Sequence, residues 1–130
     1  MKILLPFHLN KVGAGFPSPA TDYVEDDIDL NIHLIKNIPS TFLIRVQGKS
    51  MNGVGIHDGD LLIVDKSLNP KSFSTVIVNI NEELVVKTFV KENNQSFLTS
   101  GSKEIEDKIN LTENPEILIW GIVTYVIHAL

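Results

Sequence analysis

At 130 residues the chain has the length of one ordinary domain, and 43% apolar with 21% charged residues fits a folded protein rather than a disordered one. A net charge of −5, with 11 Lys and Arg scattered along the chain, argues against the basic face that direct nucleic-acid binding requires. The absence of cysteine rules out disulfides and thiolate metal sites and fits a reducing compartment.

The first residues, MKILLPFHLN, hold only three consecutive apolar residues before Pro6, too few for a secretory core, and no later run has the length of a membrane span. A cytoplasmic protein without membrane attachment is the expectation. Residues 1–24 show no periodicity. Gly13, Gly15, Pro17 and Pro19 resist both helix and interior strand, so this segment reads as a flexible, extended arm ahead of a domain spanning 25–130. In DDIDLNIHLIKN, early acids, a late Lys36 and apolar Leu30, Leu34 and Ile35 at helical spacing predict a short helix, stopped by Pro39.

From residue 41 the pattern is β. TFLIRVQ, DLLIVD, STVIVNI, ELVVKTFV, QSFLT and ILIWGIVTYVI are short runs of β-branched, aliphatic and aromatic residues, separated by turn-forming residues. NINEEL between the third and fourth reads as a tight hairpin. Several runs are apolar at every position, which predicts a mainly β, compact, twisted multi-sheet domain rather than one open sheet.

Most small motifs dissolve on inspection. Asp27, Asp29 and Asn31 have calcium-loop spacing, but Ile32 and Ile38 stand where that loop needs Gly and Glu, so a capped helix start is the better reading. Gly53, Gly55 and Gly59 lack dinucleotide-loop spacing and belong to turns. His8, His33, His57 and His128 show no metal-ligand spacing and read as surface or half-buried residues, so no metal or cofactor is expected. Asn94 and Asn110 lie in glycosylation triplets that have no meaning without secretion.

Two residues resist that treatment. Ser50 fronts the glycine-rich stretch GKSMNGVGIHDGDLLIVD, and Lys87 sits in ELVVKTFV, where the period-2 rule puts apolar neighbours on either face. One account makes Ser50 a turn serine and Lys87 an edge-strand lysine whose stem snorkels to water. The other makes Lys87 a desolvated amine that removes the proton of Ser50, activating a serine without histidine. Pattern alone leaves both open.

GKSMNGVGIHDGDLLIVD resembles the serine box of the LexA/UmuD family of self-cleaving proteins, and Lys87 follows Ser50 by 37 positions (87 − 50), the family's spacing to its catalytic lysine. GAGFPSPATDYVEDDIDLN is similar to the cleavage region of UmuD-like members. The resemblance covers nearly the whole chain, in order. It implies that Ser50 is the nucleophile and Lys87 the general base, that Ala14–Gly15 is the bond cut, and that backbone N–H groups around Lys49 and Ser50 receive the oxyanion. It also implies a homodimer, stimulation by the RecA filament on single-stranded DNA, and a processed form joining a UmuC-like Y-family translesion polymerase subunit in SOS mutagenesis.

Only 14 residues precede the inferred cut, so the DNA-binding domain of LexA-type repressors is not expected, in line with the acidic charge. Three alternatives remain: a non-catalytic binding module of the same fold regulating a polymerase or repressor, a peptidase acting in trans, and a phage-repressor remnant.

Overall fold

A computed structural model describes residues 2–7, 27–49, 51–100 and 108–130. By its internal contacts the chain divides between Lys36 and Asn37 into two units. In the first, β1 (Leu4–Leu5) pairs antiparallel with β2 (Ile28–Asp29), Leu4 opposite Asp29 and Leu5 opposite Ile28. Helix α1 (Leu30–Leu34) follows directly, and Asp29 caps it by accepting the Asn31 N–H at 3.0 Å on its Oδ1. The Asp27, Asp29 and Asn31 spacing therefore belongs to a capped helix start. The helix closes at Ile35, whose N–H donates to the Asn31 carbonyl before the chain turns extended. Most of the arm expected over 1–24 lies outside the described residues.

The second unit opens with a 3₁₀ turn, Ile38–Ser40, and then builds one seven-stranded antiparallel sheet. Its strands are β3 (Thr41–Arg45), β4 (Leu61–Asp65), β5 (Thr75–Ile80), β6 (Glu83–Glu92), β7 (Gln95–Thr99), β8 (Ile109–Asn110) and β9 (Leu118–Ile127). They lie in the order β3-β4-β9-β5-β6-β7-β8. All six runs expected as strands are strands. The two-residue strands β1, β2 and β8 are too short to show a period, so sequence reading missed them. NINEEL is a tight hairpin as expected: Asn81 and Glu82 have φ of 52° and 67°, both left-handed, as the two-residue turn that matches strand twist requires. Asn93 and Asn94, at 50° and 62°, join β6 to β7 in the same way.

The middle of the sheet, on β4 and β5, is buried on both faces, which explains the unbroken apolar runs of those strands. One core cluster gathers Val46, Met51, Ile56, Leu62, Val64 and Ile77. The other gathers Val76, Val78, Phe89, Leu98 and Ile122. Ile77 and its two neighbours on β5 thus serve opposite faces, as period-2 geometry dictates. Each fully buried aliphatic side chain contributes about 1.5–3 kcal/mol relative to exposure.

Strand β9 is the exception to sequential order, inserting between β4 and β5. It carries two single-residue bulges. Thr124 is skipped in the ladder with β4, and Trp120 in the ladder with β5. The Thr124 hydroxyl donates to the Ile63 carbonyl at 3.2 Å, next to the first bulge. Among the described residues, no helix is long and apolar enough to cross a membrane.

Candidate active site

The stretch from β3 to β4 is a turn system held mainly by its own backbone. Val46 N–H donates to the Asp60 carbonyl and Gly59 N–H to the Val46 carbonyl, each at 2.8 Å, so the loop is closed at its base. Gly48, at φ 106°, takes a conformation that a side chain would oppose, and its N–H donates to the Asp58 carboxylate at 2.8 Å. Beyond Ser50, Met51 is 3% exposed and anchors the loop in the first core cluster. Its carbonyl accepts from the N–H groups of both Val54 and Ile56, and the Lys49 carbonyl accepts from Asn52. Ser50 itself lies outside the described residues, but both of its neighbours are held in place.

Lys87 is partly buried on β6, opposite Val76 of β5. β6 is interior in the sheet order, so the edge-strand account does not describe it in full. The ladder is uneven, however. Residues 83–92 contact β5 only over 83–88 and β7 only over 88–92. Among the described residues, then, 83–87 have a ladder partner on one side alone.

A cavity of about 520 Å³ runs beside that half-free stretch. It brings Lys87 and Val86 together with Gln47, Gly48 and Met51 from the serine loop, and Ile77 forms part of the wall. Among the described residues its ionisable lining is Arg45, Glu83 and Lys87. Arg45 is engaged, donating to the Gly59 carbonyl at 2.9 Å. The cavity can receive an extended peptide: one wall offers strand backbone that has no ladder partner on one side among the described residues, and Met51, Ile77 and Val86 offer an apolar surface. Ala14 and Gly15 lie outside the described residues.

Two buried carboxylates brace the ends of β4. Asp65 accepts from Asn37 Nδ2 at 2.9 Å, Ser40 Oγ at 2.8 Å, and both the N–H and Oγ of Ser67, at 2.8 and 2.7 Å. These donors, Asn37 first and Ser67 next, hold its carboxyl well below the usual carboxylate range. Asp60 at the other end is also lowered, chiefly by a hydrogen bond with His128 and next by the His57 backbone N–H. Neither network was legible in the sequence: the Asn37–Asp65 pair spans 28 positions and the Asp60–His128 pair 68, with no spacing signal to join them.

Comparison with known proteins shows the family. The family described as Peptidase S24-like matches residues 6–124. Protein ImpA of Escherichia coli is 41% identical over 123 residues, covering 95% of this chain and 83% of the relative. Protein MucA of Escherichia coli is 34% identical over 121 residues, 93% of this chain and 82% of the relative. The LexA repressor of Providencia rettgeri is 33% identical over 120 residues, which cover 92% of this chain but 58% of the repressor. The chain belongs to the Peptidase S24-like family, a serine peptidase and autoprotease family, and is a UmuD-like SOS mutagenesis protein within it.

Proposed function

We propose that the protein cuts its own Ala14–Gly15 bond, with Ser50 as nucleophile and Lys87 as general base. The observation that carries this reading is the single cavity lined by Gly48, Met51 and Lys87, which draws the neighbourhood of Ser50 and the lysine to one place. Neutral Lys87 takes the Ser50 proton as Oγ attacks the Ala14 carbonyl. The oxyanion is received by backbone N–H groups around Lys49 and Ser50. The Gly15 amine leaves with a proton returned by Lys87, and water then hydrolyses the acyl-enzyme at Ala14. Small residues at 13–15 let an extended backbone approach the half-paired edge of β6 closely. Because the substrate is tethered, its effective concentration is high, and the rate is set by how often the segment docks.

The same reading makes the RecA filament on single-stranded DNA the activator, and the processed homodimer an accessory subunit of a UmuC-like Y-family polymerase. The partly exposed end of β9, with Tyr125, Val126 and Ile127, is an apolar surface that fits the dimer contact.

Intact mass followed over time, with and without RecA filament, tests the proposal beside Ser50→Ala. A parallel incubation at about pH 10, where a free lysine amine loses its proton, probes the base. The expected result is loss of a mass equal to residues 1–14, faster with filament or alkali and absent in Ser50→Ala. An intact chain under both conditions would leave a non-catalytic binding module as the function.

A further inference from the structure

Away from the cavity, three side chains from separated positions converge. Asp60, at the entry to β4, is 3% exposed. Its Oδ1 lies 2.5 Å from His128 Nδ1, and its Oδ2 lies 3.8 Å from His57 Nδ1. The two imidazole rings stand 5.1 Å apart between centroids, inclined at 46°. One ligand atom from each of the three residues falls within 4.8 Å of the others.

The carboxylate is held from behind. Asp60 N–H donates to the His57 carbonyl at 3.0 Å, its carbonyl accepts from Val46, and its Oδ2 accepts the His57 N–H at 2.8 Å. These contacts aim a buried anion at the two rings. The histidine side chains remain 46% and 47% exposed, so the fourth side of the cluster is open to water.

We propose that His57, Asp60 and His128 form a divalent-cation site whose two-nitrogen, one-oxygen donor set suits zinc. Two imidazoles and a carboxylate with one open position make a tetrahedral arrangement that Zn²⁺ accepts readily. Bonds of about 2.0–2.1 Å separate tetrahedral ligand atoms by roughly 3.3–3.5 Å. The His128–Asp60 and His57–Asp60 separations, 2.5 and 3.8 Å, lie on either side of that value, and both imidazoles are exposed enough for their side chains to adjust. A divalent cation placed among the three would take over the role His128 now plays as partner of the buried Asp60 carboxylate.

The site's position has a consequence. His57 and Asp60 belong to the turn system that continues from Ser50, while His128 lies one residue beyond β9. A bound cation would pin the end of β9 to that turn.

Untagged full-length protein, stripped with chelator, is titrated with Zn²⁺ by calorimetry and with Co²⁺ by visible absorption. One Zn²⁺ per chain, an intense tetrahedral Co²⁺ spectrum and a raised thermal midpoint are expected. His57→Ala and His128→Ala should each weaken binding on the order of 100-fold and the double variant should abolish it, while His33→Ala leaves it unchanged. The midpoint of each metal-free variant confirms that it is folded. Absence of stoichiometric binding up to about 1 mM overturns the proposal, as does binding that survives in the folded double variant. Variants that lower only the metal-free midpoint, with no Zn²⁺ bound by the parent, reduce the cluster to a hydrogen-bonded lock and overturn it equally.

Discussion

Met51 and Lys87, 36 positions apart in sequence (87 − 51), line the same cavity. One is the buried residue that anchors the serine loop, and the other lies on the half-paired stretch of β6. Because each rests on a different part of the fold, loss of the amine should leave the cavity standing. Lys87→Met keeps the stem and removes the base. Its self-cleavage should fall by about 10²–10⁴-fold, the usual contribution of a general base, with little change in thermal midpoint. Intact-mass time courses check this, and cleavage at the parental rate would remove Lys87 from the mechanism.

Thr88, the next residue, is buried, and its hydroxyl has no hydrogen-bond partner among the described residues. An unsatisfied buried hydroxyl costs about 1–3 kcal/mol in desolvation. Thr88→Val keeps the shape and removes that cost, so stability should rise by about 1 kcal/mol. Thr88→Ala also loses a methyl group and should show no such gain. Urea denaturation of the three proteins separates these outcomes, and a clearly destabilised valine variant would mean that the hydroxyl is bonded.

Asp65 sets the acid limit of β4. Its pKa is depressed by Asn37, then by Ser67, with Ser40 adding a further bond. A carboxyl whose folded value lies below its unfolded value of about 3.9 adds stability above that pH, and the addition disappears as pH falls through the folded value. Asp65→Asn should therefore be less stable than the parent at pH 7, and the gap should narrow from about pH 4 downward. Urea midpoints at pH 7, 5 and 3 measure it; a gap that stays constant would show that the loss is one of packing rather than charge.

Gly121 lies between the two bulges of β9, and a Cβ placed there would meet Val64 Cγ1 at 2.6 Å. Neither atom has room to move, since Val64 is fully buried. Gly121→Ala should cost about 1–3 kcal/mol through overpacking. Adding Val64→Ala should recover part of that, so the pair should be non-additive in a double-mutant cycle. Additive losses would place the strain elsewhere.

Local chemistry was written in the sequence. Apolar runs such as DLLIVD and STVIVNI, bounded by turn residues, are strands wherever the chain takes them, because β-branched residues at every position suit a sheet covered on both faces. Asp29 caps α1 because its side chain reaches the Asn31 N–H two residues on, and the chain turns at Asn81–Glu82 because asparagine enters the left-handed region readily and the two-residue loop holds Glu82 there with it. The spacing of Ser50 and Lys87 matches a family pattern, and the proposed self-cleavage rests on it.

Tertiary structure alone decided what lies beside what. Nothing in ILIWGIVTYVI says that β9 inserts between β4 and β5, or that its bulges fall at Trp120 and Thr124. Those follow from long-range pairing, in which each strand answers to two partners and to the packing of both faces. The half-paired edge beside Lys87 exists only because β7 begins pairing at Thr88. His57 and His128, unremarkable as separate surface histidines, meet over Asp60 because β9 runs antiparallel to β4 and ends where β4 begins. Sequence determines which residues can form a strand, a cap or a ligand; which of them become neighbours is settled only when the sheet closes its register.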